Sequence, residues 1–150
     1  MSTSDRYLRP GWFTKHVANR AARRLARMGV APKGLRQLAV RGRTSGEWRS
    51  VPVNLLELDG ARYLVAPRGH TEWVRNIRVA GGGELRLGRK VEPIRVRELA
   101  DEDKPAILRA YLVAWKAEVK MFFSGIDEHS TDEQLLEVAP GFPVFEVLAG

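Results

Sequence analysis

The pattern of apolar and polar positions changes its period near residue 34. Before that point apolar residues recur every three or four positions over residues 12–28, a spacing that predicts an amphipathic helix. Gly29 and Pro32 follow this segment and are typical of a helix end. The opposite face is rich in arginine and lysine, which suits either a solvated face of a docked helix or a helix lying on an anionic membrane surface. The apolar positions are Phe13, Val17, Ala21, Leu25 and Met28.

Beyond residue 34 apolar and polar positions alternate in short runs, which predicts β-strands. The pair Asp59-Gly60 separates two of these runs and is a strong hairpin signal. The connection from Arg43 to Gly46 is longer and more polar than a tight turn requires. The six predicted strands span residues 35–41, 49–58, 61–66, 84–88, 91–99 and 142–148.

Three further helices are predicted among these strands. Thr71 can cap a helix that ends at the three glycines 81–83. The acidic run 101–103 favours the start of a helix extending to about Phe123, and Thr131 can cap a short helix after it. This order of elements lacks the strand–helix alternation of a doubly wound sheet. It predicts an α+β fold, a single-domain split β-barrel of about six mainly antiparallel strands with flanking helices.

Length and composition narrow the picture. The 150 residues suit one barrel domain at residues 35–150, preceded by an amphipathic helix and linker at residues 1–34. No apolar run approaches the roughly 20 residues needed to cross a bilayer, so we expect a cytoplasmic protein, with peripheral membrane contact through residues 12–28 as an open alternative. The absence of cysteine excludes disulfides and thiol chemistry. The three histidines lack paired metal-ligand spacing, so no metal is expected.

Charge points to an anionic partner. The chain has 25 lysines and arginines against 18 acidic residues, a formal net charge of +7. Part of the basic surplus is concentrated in and near loops, where backbone amides, hydroxyl groups and guanidinium forks suit phosphate or carboxylate oxygens. The same pattern also fits a turn with solvated charges. The candidate residues are Arg43, Thr44, Ser45 and Gly46, then Arg49, Arg68 and Arg75.

These residues belong to segments that resemble a known family. Residues 41–53 (RGRTSGEWRSVPV) and 59–78 (DGARYLVAPRGHTEWVRNIR) are similar to the deazaflavin-dependent nitroreductases of actinobacteria. The resemblance continues through residues 81–89 and 139–147. It implies a split β-barrel that binds coenzyme F420, a hydride carrier with a phosphate and an oligoglutamate tail.

The resemblance also implies roles for individual residues. The phosphate and tail would be held by Arg43, Thr44, Ser45, Gly46 and Arg49. The deazaflavin would be lined by Pro52, Val53, Asn54, Ala66, Pro67, Arg68 and Gly69, with Trp73, Arg75 and Asn76 completing the wall. The apolar residues Phe122 and Phe123 are predicted to line the substrate, which would be a small apolar conjugated acceptor such as a quinone, an enone or a nitro compound.

Several alternatives stay open at this stage. A related barrel could bind FMN, because a basic loop serves either phosphate. A non-catalytic cofactor- or lipid-binding barrel at the membrane surface would also explain the basic N-terminal segment. Nucleic-acid binding is not expected, because neither an aromatic platform nor a recognition helix is evident. A homodimer is expected only by analogy with related barrels. No catalytic residue is predicted; His70 is a candidate proton donor, although a surface or capping role suits it better.

Overall fold

Six strands form a closed antiparallel barrel. The structure, a computed structural model, describes residues 34–150 apart from the side chains of residues 118 and 119. The strands are β1 (Leu35–Arg41), β2 (Trp48–Leu58), β3 (Ala61–Val65), β4 (Gly82–Leu87), β5 (Lys90–Glu98) and β6 (Val144–Ala149). Around the barrel they follow the order β1-β2-β3-β6-β5-β4, and β4 pairs with β1 to close it. The predicted split-barrel fold is thereby confirmed, while the predicted helix over residues 12–28 lies outside the described residues.

Three α-helices lie in the connections between the strands. They are α1 (Glu72–Ala80), α2 (Pro105–Val119) and α3 (Asp132–Val138). The cap predicted at Thr131 is confirmed: its hydroxyl accepts from the Gln134 amide, and its own amide donates to the Gln134 side chain. The helix predicted from residue 101 to about 123 is shorter than expected. The acidic run forms a separate 3₁₀ turn because Pro105 begins α2, and the backbone leaves helical geometry at Trp115.

Alternation along the strands divides the core into two clusters. One side of the sheet faces the barrel interior, where Leu55 and Leu64 are buried, and α1 adds Val74 and Ile77 to this inner cluster. The neighbouring positions point outward, so that Leu56 packs in an outer cluster under α2 and α3. Because α1 contributes to the inner cluster, it covers the barrel interior rather than lying on the outer surface.

Strand direction decides what meets at each end of the barrel. Strands β1 and β3 both pair antiparallel with β2 and therefore run in the same direction. The β1–β2 loop and the connection from β3 to α1 consequently lie at one end. The hairpin at Asp59-Gly60 lies at the other end; both turn residues have positive φ angles, +52° and +81°, as a tight hairpin of this sequence requires.

An ion pair lies toward the hairpin end. Arg62 donates two hydrogen bonds to the Glu92 carboxylate, at 2.9 and 2.5 Å. Arg62 lies two positions before Leu64, and Glu92 lies two positions before Ile94. Because Leu64 and Ile94 belong to the inner cluster, the side chains of Arg62 and Glu92 also point to the interior side of the sheet. The hydrogen bonds from Arg62, with the positive charges of Arg62 and Arg36, hold the pKa of Glu92 below its usual range. The hairpin end of the barrel therefore carries a partly exposed pair of opposite charges.

The three consecutive glycines have different tasks. Gly81 ends α1 in the left-handed conformation, with φ +75° and its amide donating to the Ile77 carbonyl at 2.8 Å. Gly82 and Gly83 already belong to β4, which therefore begins two residues before the predicted start. A side chain at either position would overlap with a backbone carbonyl of a neighbouring strand, Ile94 for Gly82 and Ala39 for Gly83. Glycine permits this close approach of strands.

Candidate functional site

A pocket of about 470 Å³ lies between the β1–β2 loop and the start of α1. It brings together seven residues that the sequence predicted for the cofactor site: Arg43, Thr44, Ser45, Arg49, Arg68, Trp73 and Asn76. Six further lining residues were not predicted: Val40, Gly42, Ser50, Val51, Thr71 and Glu72. Thr71 was identified only as a helix cap. Each unpredicted residue lies close in the sequence to a predicted one, and this proximity was the only signal that could have identified it.

The β1–β2 loop holds its own shape. The Gly42 amide donates to the Glu47 carbonyl at 2.7 Å, and the Gly46 amide donates to the Gly42 carbonyl at 2.9 Å. Gly46 has a φ of +74°, a conformation that disfavours most other residues. The Ser45 hydroxyl accepts from the Glu47 amide at 3.1 Å. These bonds turn the chain back into β2 within a few residues.

Asn76 on α1 fastens this loop to the helix. Its side-chain oxygen accepts two hydrogen bonds from Arg43, one from the backbone amide at 3.0 Å and one from Nη1 at 2.8 Å. Asn76 is only 6% exposed. The buried amide oxygen thus couples two elements that are 33 residues apart in the sequence.

The pocket has a surplus of positive charge. Of the residues that the structure describes, three arginines line it against one acidic residue, Glu72, whose carboxylate lies 2.8 Å from Arg43 Nη1. Arg43 is therefore already engaged by Glu72 and by Asn76. Arg49 is less constrained: its side chain is 64% exposed and meets Glu47 only at 4.0 Å. Of these two arginines, Arg49 is more readily available to a ligand.

Thr71, just before α1, contributes a hydroxyl without a hydrogen-bond partner in the described part of the chain. The residue is 4% exposed, and its side chain does not cap the helix. A buried hydroxyl that makes no hydrogen bond carries a free-energy cost of about 1–3 kcal/mol. The amides at the start of α1 also favour negative charge. A polar ligand in the pocket would find both features beside it.

Eight residues predicted for the cofactor site do not line this pocket. Val53 and Ala66 are buried in the inner cluster of the barrel. Arg75 donates from Nε to the His70 carbonyl at 2.9 Å. The other five are Gly46, Pro52, Asn54, Pro67 and Gly69. Contact of these eight residues with a cofactor remains a prediction, because the residues that form the pocket wall are their neighbours in the sequence.

The predicted substrate-lining residues lie in another part of the molecule. Phe123 is 4% exposed and stacks on Phe142, with ring centroids 4.3 Å apart. Phe122 packs, partly buried, against the same outer cluster. Neither residue lines the pocket beside α1. Their role toward a substrate also remains a prediction.

His70 is held in a structural network. Its Nε2 lies 3.0 Å from the Pro140 carbonyl, and its Nδ1 lies 3.0 Å from Arg78 Nη1. Because Arg78 can only donate, Nδ1 accepts and Nε2 carries the hydrogen that is donated to Pro140. Arg78 in turn binds Glu98 through two hydrogen bonds. Both ring nitrogens are thus engaged outside the pocket lining, as expected for a capping role.

Within residues 34–150, no cluster of three acidic or histidine side chains could hold a metal ion.

Comparisons with known proteins give a family match and a shared fold. A family model for F420H2-dependent quinone reductase matches residues 12–130. Among solved structures, a chain described as a domain-swapped dimer is 22% identical, with 85% of this chain and 94% of that chain covered and a TM-score of 0.54. An F420-H2 dependent reductase is 23% identical, with 76% and 93% covered and a TM-score of 0.50. A NimC/NimA family protein from Clostridium acetobutylicum is 16% identical, with 77% and 73% covered and a TM-score of 0.52. None of the curated proteins matches significantly.

Proposed function

Because the chain belongs to the F420H2-dependent quinone reductase family, we propose that its pocket beside α1 holds F420 and that the acceptor is a small apolar conjugated molecule such as a quinone. The chain is an oxidoreductase, and F420 is its cofactor, as the resemblance to the deazaflavin-dependent enzymes predicted. The enone and the nitro compound remain alternative acceptors. The observation that supports this site is that three arginines and the first residues of α1 line the same pocket.

The residues of the pocket suit this cofactor. F420 carries a phosphate and a carboxylate tail, and the pocket combines guanidinium groups, helix amides and the unpartnered Thr71 hydroxyl. Its volume of about 470 Å³ lies within the range of about 300–1,000 Å³ common for small-molecule sites. Val40, Val51 and Trp73 add an apolar wall on the barrel side. Charged and ring-like parts of one ligand could therefore be bound side by side.

Each part of the pocket has a separate task in this proposal. The bound cofactor supplies hydride to the acceptor. Arg49 and the first amides of α1 bind the anionic group and so fix its position. Trp73 and Val51 exclude water from the apolar side, and Arg68 stabilises the negative charge that develops on the acceptor oxygen.

Reduction of a quinone also needs one proton at the acceptor oxygen. Among residues 34–150, no histidine lines the pocket, and both ring nitrogens of His70 are engaged elsewhere. The exposed residues Thr44 and Ser45 leave the loop side of the pocket open to water. We therefore assign this proton to solvent.

Binding of oxidised F420 tests the site directly. Intrinsic tryptophan fluorescence is a suitable readout because Trp73 lines the pocket. We expect saturable quenching, with an affinity about tenfold weaker in Arg49→Ala, since a charge-assisted hydrogen bond contributes about 1.5 kcal/mol or more. Arg89→Ala removes the same charge at the β4–β5 turn and should bind like the parent chain. Equal affinities of all three proteins would contradict the assigned role of Arg49, and absence of quenching, with FMN failing too, would exclude this pocket as the cofactor site.

Thr71 permits a second test, in which stability and binding change in opposite directions. Thr71→Val replaces the unpartnered hydroxyl by a methyl group of similar size, so the free protein should melt at the same temperature or slightly higher. Its F420 affinity should fall about fivefold, which is about 1 kcal/mol, if the hydroxyl bonds to the ligand. Thr71→Ser keeps the hydroxyl and should keep the affinity. A clear loss of thermal stability in the valine variant would show that the hydroxyl has a partner in the free protein.

Location and assembly remain proposals. Neither α2 nor any other helix between residues 34 and 150 has the length and apolar character needed to cross a bilayer. A cytoplasmic location, with peripheral membrane contact through residues 12–28, is a prediction from the sequence. One relative of similar fold is described as a domain-swapped dimer, which supports proposing a homodimer here. Sedimentation of the full chain with anionic vesicles tests membrane contact, and analytical centrifugation without vesicles tests the homodimer.

A further inference from the structure

The segment that joins β3 to α1, residues 66–71, brings the side chains of Arg68 and Thr71 to the pocket. Its first residue is fixed to the barrel, because the Ala66 amide donates to the Pro143 carbonyl at 2.9 Å. The next backbone bonds are local: the Gly69 amide donates to the Ala66 carbonyl at 3.1 Å, and the Thr71 amide donates to the Gly69 carbonyl at 2.9 Å. Local bonds shape the segment, whereas contacts with other elements decide where Arg68 and Thr71 lie.

The His70 side chain ties this segment to two other elements. Its Nε2 donates to the Pro140 carbonyl in the turn Ala139–Gly141, and its Nδ1 accepts from Arg78 in the last turn of α1. Arg78 is itself held against β5 by two hydrogen bonds to Glu98, at 2.9 and 2.7 Å. The ring therefore lies between two partners that belong to the rest of the barrel.

The groups around His70 come from three elements. Arg78 and Arg75 of α1 contact it directly, the second through a hydrogen bond from Nε to the His70 carbonyl. Glu98 of β5 reaches it through Arg78. The turn on the other side presents a carbonyl to the ring, and the buried Lys104 donates to another carbonyl of that turn at 3.0 Å. The ring keeps both bonds only while it is neutral, because a protonated Nδ1 would meet a guanidinium group that can only donate.

We propose that His70 is a positioning residue that holds Arg68 and Thr71 at the pocket, and that its protonation releases them. The inference rests on the proposed function, because both residues belong to the same pocket. Histidine changes its charge between about pH 5 and pH 8, so the tie is intact above this range and lost below it. The pocket thus loses affinity in mild acid through a residue that does not line it.

Titration of the full chain with F420 at two pH values, followed by tryptophan fluorescence, tests this role. Glutamine offers a donor and an acceptor without a charge, so His70→Gln should bind like the parent chain near about pH 7.5 and about tenfold more tightly than the parent chain near about pH 5.5. His70→Ala lacks both bonds and should bind about tenfold more weakly than the parent chain at the higher pH. Ionisation of F420 itself is common to all variants, so it cancels in each comparison at one pH.

His129→Gln is the matched control. The His129 side chain is 83% exposed and lies beside Glu128, outside the pocket lining, so this variant should keep the pH dependence of the parent chain. The role of His70 would be overturned if the affinity ratio between His70→Gln and the parent chain were the same at both pH values, or if His70→Ala bound F420 as tightly as the parent chain. A parent chain that fails to bind F420 at the higher pH would instead overturn the proposed function itself.

Discussion

Replacing Asn76 by alanine should lower the free energy of unfolding by about 2 kcal/mol and weaken F420 binding by at least tenfold. The side-chain oxygen of Asn76 accepts both from the Arg43 amide and from its guanidinium group, and the residue is nearly inaccessible to water. Alanine leaves both donors without this acceptor. The β1–β2 loop, which leads to Arg49, then loses this link to α1, and Arg43 is no longer held by Asn76. Urea denaturation and F420 titration measure the two effects.

Asn76→Asp serves as the matched variant. It keeps an oxygen acceptor at the same place and adds a charge that Arg43 can bind, so most of the stability should be retained. Its F420 affinity should still fall, because the new negative charge opposes an anionic ligand. If Asn76→Ala unfolds at the same urea concentration as the parent chain, the loop must be held by its internal hydrogen bonds alone.

Replacing Gly82 by alanine should reduce the free energy of unfolding by about 3 kcal/mol, at the upper end of the usual cost of overpacking. The added methyl group would overlap with the Ile94 carbonyl oxygen and approach the Arg95 Cα atom to 3.0 Å. Both obstacles are backbone atoms of β5, which cannot rotate away as a side chain can. Relief would require β4 to separate from β5 and would loosen the barrel. Thermal melting followed by far-ultraviolet circular dichroism measures the loss.

The neighbouring glycine provides the control for this prediction. An added Cβ at Gly81 meets nothing within 4 Å, although the residue has a φ of +75°. Asparagine tolerates this left-handed conformation better than most residues, so Gly81→Asn should cost about 1 kcal/mol or less. Similar losses in the two variants would show that backbone conformation, rather than close strand packing, requires the glycine run.

Local patterns in the sequence were sufficient for most of the fold. Alternation of apolar positions placed all six strands, and Asp59-Gly60 gave the hairpin, because both signals depend only on neighbouring residues. Thr131 with Gln134 formed the predicted helix start for the same reason. The starts of helix α2 and strand β4 were less accurate. Pro105 begins the helix four residues after the predicted start. Gly82 extends β4 because it packs closely against the backbone of β5, which is distant in the sequence.

The candidate site, like the fold, was predicted only in part from the sequence. The sequence by itself determined that a basic, glycine-containing loop and a helix after Thr71 exist, although the Thr71 side chain does not cap that helix as predicted. Its resemblance to F420-dependent enzymes indicated the cofactor. Only the tertiary structure decided that Asn76 and Glu72 would meet Arg43, and that Phe123 would pack on Phe142 outside the pocket. The reason is strand direction: because β1 and β3 run the same way around β2, the loop after one and the helix after the other reach the same end of the barrel.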